Sequence, residues 1–218
     1  MKNILVVAVH PDDETLGCGG TLLKHKDRGD LIHWLICTQT DSKSDFFKKR
    51  ELEIVDVSKE YGVESVMKLG LNTMQVDEYS MSTLIEKISD VINQIQPDTL
   101  YLPFKGDVHS DHRKIFEAVY SCTKSFRYPF IKQIYMMETL SETEFAPSTK
   151  EDSFIPNVFI DISKYMNKKL EIMKIFESEI GEHPFPRSER NLKALATIRG
   201  ATAGCEYAES FVLLKEIL

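Results

Sequence analysis

Ile4-Leu5-Val6-Val7-Ala8-Val9-His10-Pro11-Asp12-Asp13-Glu14 is the stretch on which the reading of this chain turns. Six consecutive apolar residues describe a strand covered on both faces, the pattern of a parallel sheet. Pro11 has no N–H to give to a ladder, so the strand ends at His10. One imidazole and three carboxylates therefore stand at the carboxyl end of a strand, where open α/β sheets bind their ligands. Crowding four ionisable groups there is costly unless a charge compensates them, and a divalent metal does so.

Outward from this segment, strand-like and helix-like stretches alternate. Strands are expected at Asn3–Val9, Leu31–Thr38, Ser65–Leu69, Thr99–Pro103, Lys132–Met137 and Val158–Ile162. Helical spacing of apolar residues fills Thr15–Arg28, Ser44–Tyr61, Met81–Ile95 and Asp111–Ser125. Gly62 and Pro97 read as helix stops. This alternation predicts an α/β fold, a mostly parallel sheet with helices on both faces. Further on, Ser163–Glu179 reads as one long helix capped by Ser163. A loop with Pro184 and Pro186 comes next, then helix from Glu189 to about Thr202. Leu140–Ile155 reads as a polar surface excursion near the sheet end.

The 218 residues suffice for one domain, 1–218, with a sizeable core. A formal net charge of -7 argues against a general nucleic-acid binder, which needs a basic face. No apolar run reaches membrane-spanning length, and the apolar run after Met1-Lys2-Asn3 is too short for a signal peptide. Cys18, Cys37, Cys122 and Cys205 are far apart, which fits reduced thiols in a cytoplasmic protein. Cys18 is the one near the acidic segment.

A hydrolytic metal site takes three protein ligands and keeps a position open for water. His10 and Asp13 are three apart, across a turn that Pro11 stiffens, so they can converge on one ion. Asp12 then points to another side of it, where a general base belongs. The plainer alternative is that Asp12 or Asp13 only caps the following helix. Capping would need one carboxylate, not three. Gly17, Gly19 and Gly20 each cost a helix roughly 1 kcal/mol against alanine, so close packing or a close ligand must justify them. A dinucleotide fingerprint fits poorly, because Leu22 fills its sixth place and carboxylates precede the glycines.

A second constellation, His109-Ser110-Asp111-His112, lies beyond the strand end at Pro103. His112, in a first helical turn at the same sheet end, supplies a third ligand. His109 lies just outside, placed to bind an oxyanion or protonate a leaving amine. Asp111 caps the helix or orients a histidine. Glu14 is assigned to orienting His10 or the helix start. His25 and His33 read as solvated or strand residues, and His183, beside Arg187, is a weaker candidate for substrate contact.

Together these motifs resemble the PIG-L/LmbE family of zinc-dependent de-N-acetylases. The likeness extends to Gly17-Cys18-Gly19-Gly20, to Arg50-Glu51, to Arg199-Gly200 with Gly204, and to Tyr207-Ala208-Glu209-Ser210-Phe211. It implies a Rossmann-like three-layer sandwich. It also implies removal of the N-acetyl group from an N-acetylglucosamine-like amino sugar or glycoside, giving acetate and a free amine. By that likeness zinc sits on His10, Asp13 and His112, Asp12 is the general base, and His109 assists the tetrahedral intermediate. Arg50 helps shape the acyl or sugar pocket. Iron(II) can replace zinc at such a site, since availability often decides. The implied partner is a small-molecule amino sugar, and a homo-oligomer is compatible with the reading. Two alternatives are a metal-dependent amidase acting on a thiol-sugar conjugate and a catalytically silent sugar-binding relative.

Overall fold

The first strand is buried from Ile4 onward, and its alternation divides the core in two. The computed structural model describes residues 1–218. In β1 (Asn3–Ala8), Ile4, Val6 and Ala8 face one apolar cluster, while Leu5 and Val7, with Val9 just beyond, face another. Successive side chains of a strand point to opposite faces, so one apolar run fills both layers. The first cluster takes Leu16 and Leu22 of α1 (Asp13–Asp27), Ile54 and Val57 of α2 (Asp45–Tyr61), Leu170 of α5 (Met166–Met173) and Leu192 of α6 (Glu189–Ala203). The second takes Leu84 and Ile88 of α3 (Met81–Ile95) and Ile115 and Val119 of α4 (Ser110–Ser121).

The remaining strands are β2 (Leu31–Gln39), β3 (Ser65–Asn72), β4 (Thr99–Leu102), β5 (Gln133–Met137), β6 (Val158–Asp161) and β7 (Ala208–Glu216). The seven strands run in the order β3-β2-β1-β4-β5-β7-β6. The first five of that order are parallel, and β7 lies antiparallel between β5 and β6. The chain leaves β1 toward β2 on one side and reaches β4 on the other. The carboxyl ends of β1 and β4 therefore flank the switch point where such sheets bind ligands. No helix is long and apolar enough to cross a membrane.

Local signals hold where they rest on backbone chemistry. The hydroxyls of Ser44, Ser80 and Ser188 accept from Phe47 N, Thr83 N and Asn191 N at the starts of α2, α3 and α6. Gly62 ends α2 with a left-handed backbone, as expected of a helix stop.

Three expectations are corrected. The long helix Ser163–Glu179 is only Met166–Met173, and Ser163 is not its cap. The Ser163 hydroxyl donates to Asp161 Oδ1 and accepts from Tyr207 N, so it ties β6 to the start of β7. Beyond Met173 the chain turns, bringing Ser178 and Glu179 to Arg50. The second correction is β7 itself, which no expected strand covered. Its opening residues pair with β6, and Phe211 to Glu216 pair with β5. His25 is likewise buried rather than solvated, with its ring nitrogens against Asp30 Oδ2 and Tyr101 Oη.

Helix α1 is broken at Cys18, whose φ of -146° is not helical. The break frees polar groups in the interior, and a buried ion pair takes them up. Glu209 of β7 accepts from Gly20 N and Thr21 N, both at 2.8 Å. Lys169 of α5 donates to Glu209 Oε1 at 2.8 Å and to Leu16 O at 2.9 Å. The glycines around the break serve packing. A Cβ on Gly20 would stand 2.7 Å from Ile162 Cβ and Cγ2. Gly20→Ala is expected to lose about 1–3 kcal/mol through overpacking. A thermal melt followed by circular dichroism checks this, and an unshifted midpoint would mean that α1 has room to move off Ile162.

Candidate active site

Pro11 and the residues around it turn sharply out of β1, and the turn is held from beneath. Asp12 adopts a φ of 141°, a strained conformation that residues other than glycine rarely adopt. Glu14 Oε2 accepts from Asp12 N at 3.1 Å, and Glu14 Oε1 accepts from Thr15 Oγ1 at 2.7 Å. Glu14 thus supports the helix start, and its hydrogen bonds do not reach His10. Burial pushes its carboxyl up to about 8.

The turn brings three expected residues together. His112 Nε2 is 3.3 Å from His10 Nδ1 and 3.4 Å from Asp13 Oδ2, and the latter two atoms are 3.9 Å apart. Tetrahedral coordination with bonds of 2.0–2.1 Å sets ligand atoms about 3.4 Å from one another. This triangle therefore suits a zinc-sized ion with little adjustment. His10 Nε2 is buried without a hydrogen-bond partner, and Asp111 Oδ2 stands 3.6 Å from it. A small closure there would fix the ring so that Nδ1 faces the ion, which is how carboxylates orient metal-binding histidines. His112 is held the same way, its Nδ1 lying 2.8 Å from Asp107 Oδ2. Burial lowers the His112 imidazolium, but Asp13 and Asp107 outweigh it and raise the group to about 9.

His10, His109 and Asp111 form a second possible group of donors. Two of the three, His109 and Asp111, are already committed. His109 Nδ1 accepts from Asp111 N at 3.1 Å and is itself the cap of α4, a task open to Asp111 on sequence grounds. Asp111 accepts from Met74 N at 2.7 Å and Val76 N at 3.3 Å. His109 Nε2 is left for chemistry. Burial, with His10 and His112 beside it, pushes His109 down to about 4, so its ring is neutral near pH 7.

A cavity of about 270 Å³ opens over this group and is lined by His10, Asp12, Asp13 and His109. Burial and the adjacent Asp13 push the Asp12 carboxyl well up, while Arg187, 3.7 Å from its Oδ2, pulls the other way. Arg50 also lines the cavity, but its donors are engaged. It donates to Pro11 O and Ser178 Oγ, pairs with Glu179 and Glu53, and sits between the rings of Phe46 and Phe176. It clamps α2 to the acidic turn. His183 stays outside this cavity, exposed, with Nδ1 against Asn191 Oδ1 at 3.3 Å. Asp107, Arg187 and Glu142 carry no motif signal, yet each reaches the site. Glu142 comes from the polar excursion, lines the cavity, and has a buried oxygen without a partner.

The fold and this donor set define a metallohydrolase-type site at the switch point of a Rossmann-like sheet. Residues 5–123, more than half of the chain, match the family model described as PIG-L, GlcNAc-PI de-N-acetylase. The chain belongs to this PIG-L/LmbE family of metal-dependent N-deacetylases. It is 29% identical to the uncharacterized deacetylase YaiS of Escherichia coli, over 81% of this chain and 91% of that protein. It is 25% identical to a diacetylchitobiose deacetylase of Thermococcus kodakarensis, over 96% of this chain and 82% of that one. Among solved structures, the conserved protein TT1542 of Thermus thermophilus superposes with a TM-score of 0.81 at 23% identity, covering 100% of this chain and 97% of that one.

Proposed function

We propose that this chain hydrolyses the N-acetyl group of an N-acetylglucosamine-like sugar or glycoside, releasing acetate and a free amine. The observation that carries the reading is the triangle of His10 Nδ1, Asp13 Oδ2 and His112 Nε2 beneath a cavity that also holds the Asp12 carboxylate. His10, Asp13 and His112 would hold the ion, zinc or iron(II). Bound there, the ion supplies Lewis acidity, which brings water to a pKa of about 7 and polarises the acyl carbonyl.

The protein's own residues do the rest. Asp12 takes a proton from the attacking water as its oxygen bonds to the acyl carbon. His109 donates Nε2–H to the acyl oxygen as negative charge grows on it. The C–N bond then breaks, and the amine nitrogen receives its proton from Asp12 or His109. Arg187 opposes the pull of burial on the Asp12 carboxyl, and Asp107 and Asp111 keep the two imidazoles aimed. The cleft, rather than a flat surface, suits a small sugar over a macromolecular surface.

The test is acetate release from a panel of N-acetyl sugars and glycosides, with and without a chelator. Acetate is expected from at least one N-acetylglucosamine derivative, is abolished by chelation and returns on adding zinc. Zinc content without turnover across the panel would sink the reading in favour of a silent binding protein.

A further inference from the structure

The electrostatics of the cavity wall distinguish between kinds of glycoside. Three cations line it, Arg50, Lys68 and Arg187. Each is already matched to a carboxylate. Arg50 pairs with Glu53 and Glu179, and Arg187 with Glu179 at 2.9 Å and with Asp12. Lys68 of β3 pairs with Glu51 of α2. Of the three cations, Lys68 alone pairs with neither Glu179 nor Asp12. It is in register with Ile36 of β2, which is in register with Ala8 of β1. Two strand spacings, about 9.5 Å, therefore separate its backbone from the strand that leads to His10.

A carboxylate or phosphate entering here would meet no free cation. It would have to displace Glu51 or Glu179, or lie beside them. The Lys68 and Glu51 side chains are 36% and 37% exposed, so repulsion here is moderate and salt-dependent, yet such repulsion is how binding sites exclude close relatives of their ligand.

We propose that the substrate is uncharged beyond its N-acetylated sugar, an N-acetylamino glycan or neutral glycoside, and that Glu51 enforces this by occupying Lys68. This rests on the deacetylase function proposed for the same site. The specificity residues are thus Glu51 and Lys68, neither of which touches the reacting amide.

The zinc-loaded full chain would be given two probes, N,N'-diacetylchitobiose as the neutral one and N-acetylglucosaminyl malate as the anionic one. Both kcat/KM for acetate release and the calorimetric Kd would be measured at low salt, for the wild type and for Glu51→Gln. The wild type is expected to favour the neutral probe by about tenfold or more in both measurements. Glu51→Gln frees Lys68 and is expected to shrink that preference about tenfold, through the anionic probe, with added salt reversing the gain. A wild type that favours the anionic probe overturns the proposal, as does a preference that Glu51→Gln leaves unmoved. If neither probe yields acetate, the deacetylase reading fails separately, and the ratio of Kd values still decides the charge preference. Binding of neither probe overturns it too.

Discussion

Asp12→Asn is expected to lower acetate release about 10²- to 10⁴-fold, the usual contribution of a positioned general base, while zinc content stays at the wild-type level. Asparagine is the informative replacement. It keeps the size and shape of the side chain, so the strained turn at a φ of 141° is disturbed as little as possible. Its amide cannot accept the proton that the carboxylate takes. Asp12→Ala would remove the group as well but would also loosen a strained turn that Glu14 braces, so a loss there has two causes. His112→Ala gives the complementary outcome: one corner of the 3.3–3.9 Å triangle disappears, and bound zinc falls with activity. Measuring zinc by elemental analysis beside turnover separates the two. An Asp12→Asn protein with near-native turnover would refute the base assignment, whatever its metal content.

What could be read from the sequence was local. Ile4–Val9 had only one plausible environment, and the turn chemistry of Pro11 fixed where the polar residues begin. His109–His112 became interpretable because it repeats the same situation, polar residues just past a strand. The parts that were not legible depend on partners far along the chain. The ion pair of Lys169 and Glu209 answers a helix break nearly 190 residues before Glu209, and nothing near either residue announces it. β7 opens with Ala208-Glu209-Ser210, whose buried carboxylate breaks the apolar alternation expected of a strand. Asp107 looks like a loop residue until His112 is seen beside it. His183 and Arg187 are neighbours in sequence, yet only Arg187 turns into the cavity, because Glu179 holds its guanidinium there. Sequence proximity gave the right loop and the wrong side chain.

Removing Glu209 should be among the most damaging single changes away from the cavity. Glu209 and Lys169 are both only 5% exposed. Glu209→Ala leaves a buried ammonium without its counter-charge, an error worth about 3–5 kcal/mol. It also strips the acceptor from Gly20 N and Thr21 N inside the broken helix. For a chain of this length each kcal/mol moves the melting midpoint by about 2–4 °C, so a fall of roughly 10 °C or more is expected. The double variant Glu209→Leu with Lys169→Met tells what kind of pair this is. An ion pair that only balances charge can be exchanged for packed apolar side chains at no loss, or even with a gain of about 1–4 kcal/mol. Here the exchange would still orphan two backbone donors and the Leu16 carbonyl. Each buried group left unpaired costs about 1–3 kcal/mol. The double variant should therefore remain well below the wild type in a thermal melt. Full recovery would mean that the break at Cys18 closes by itself, and that the pair is dispensable to the helix that starts at Asp13.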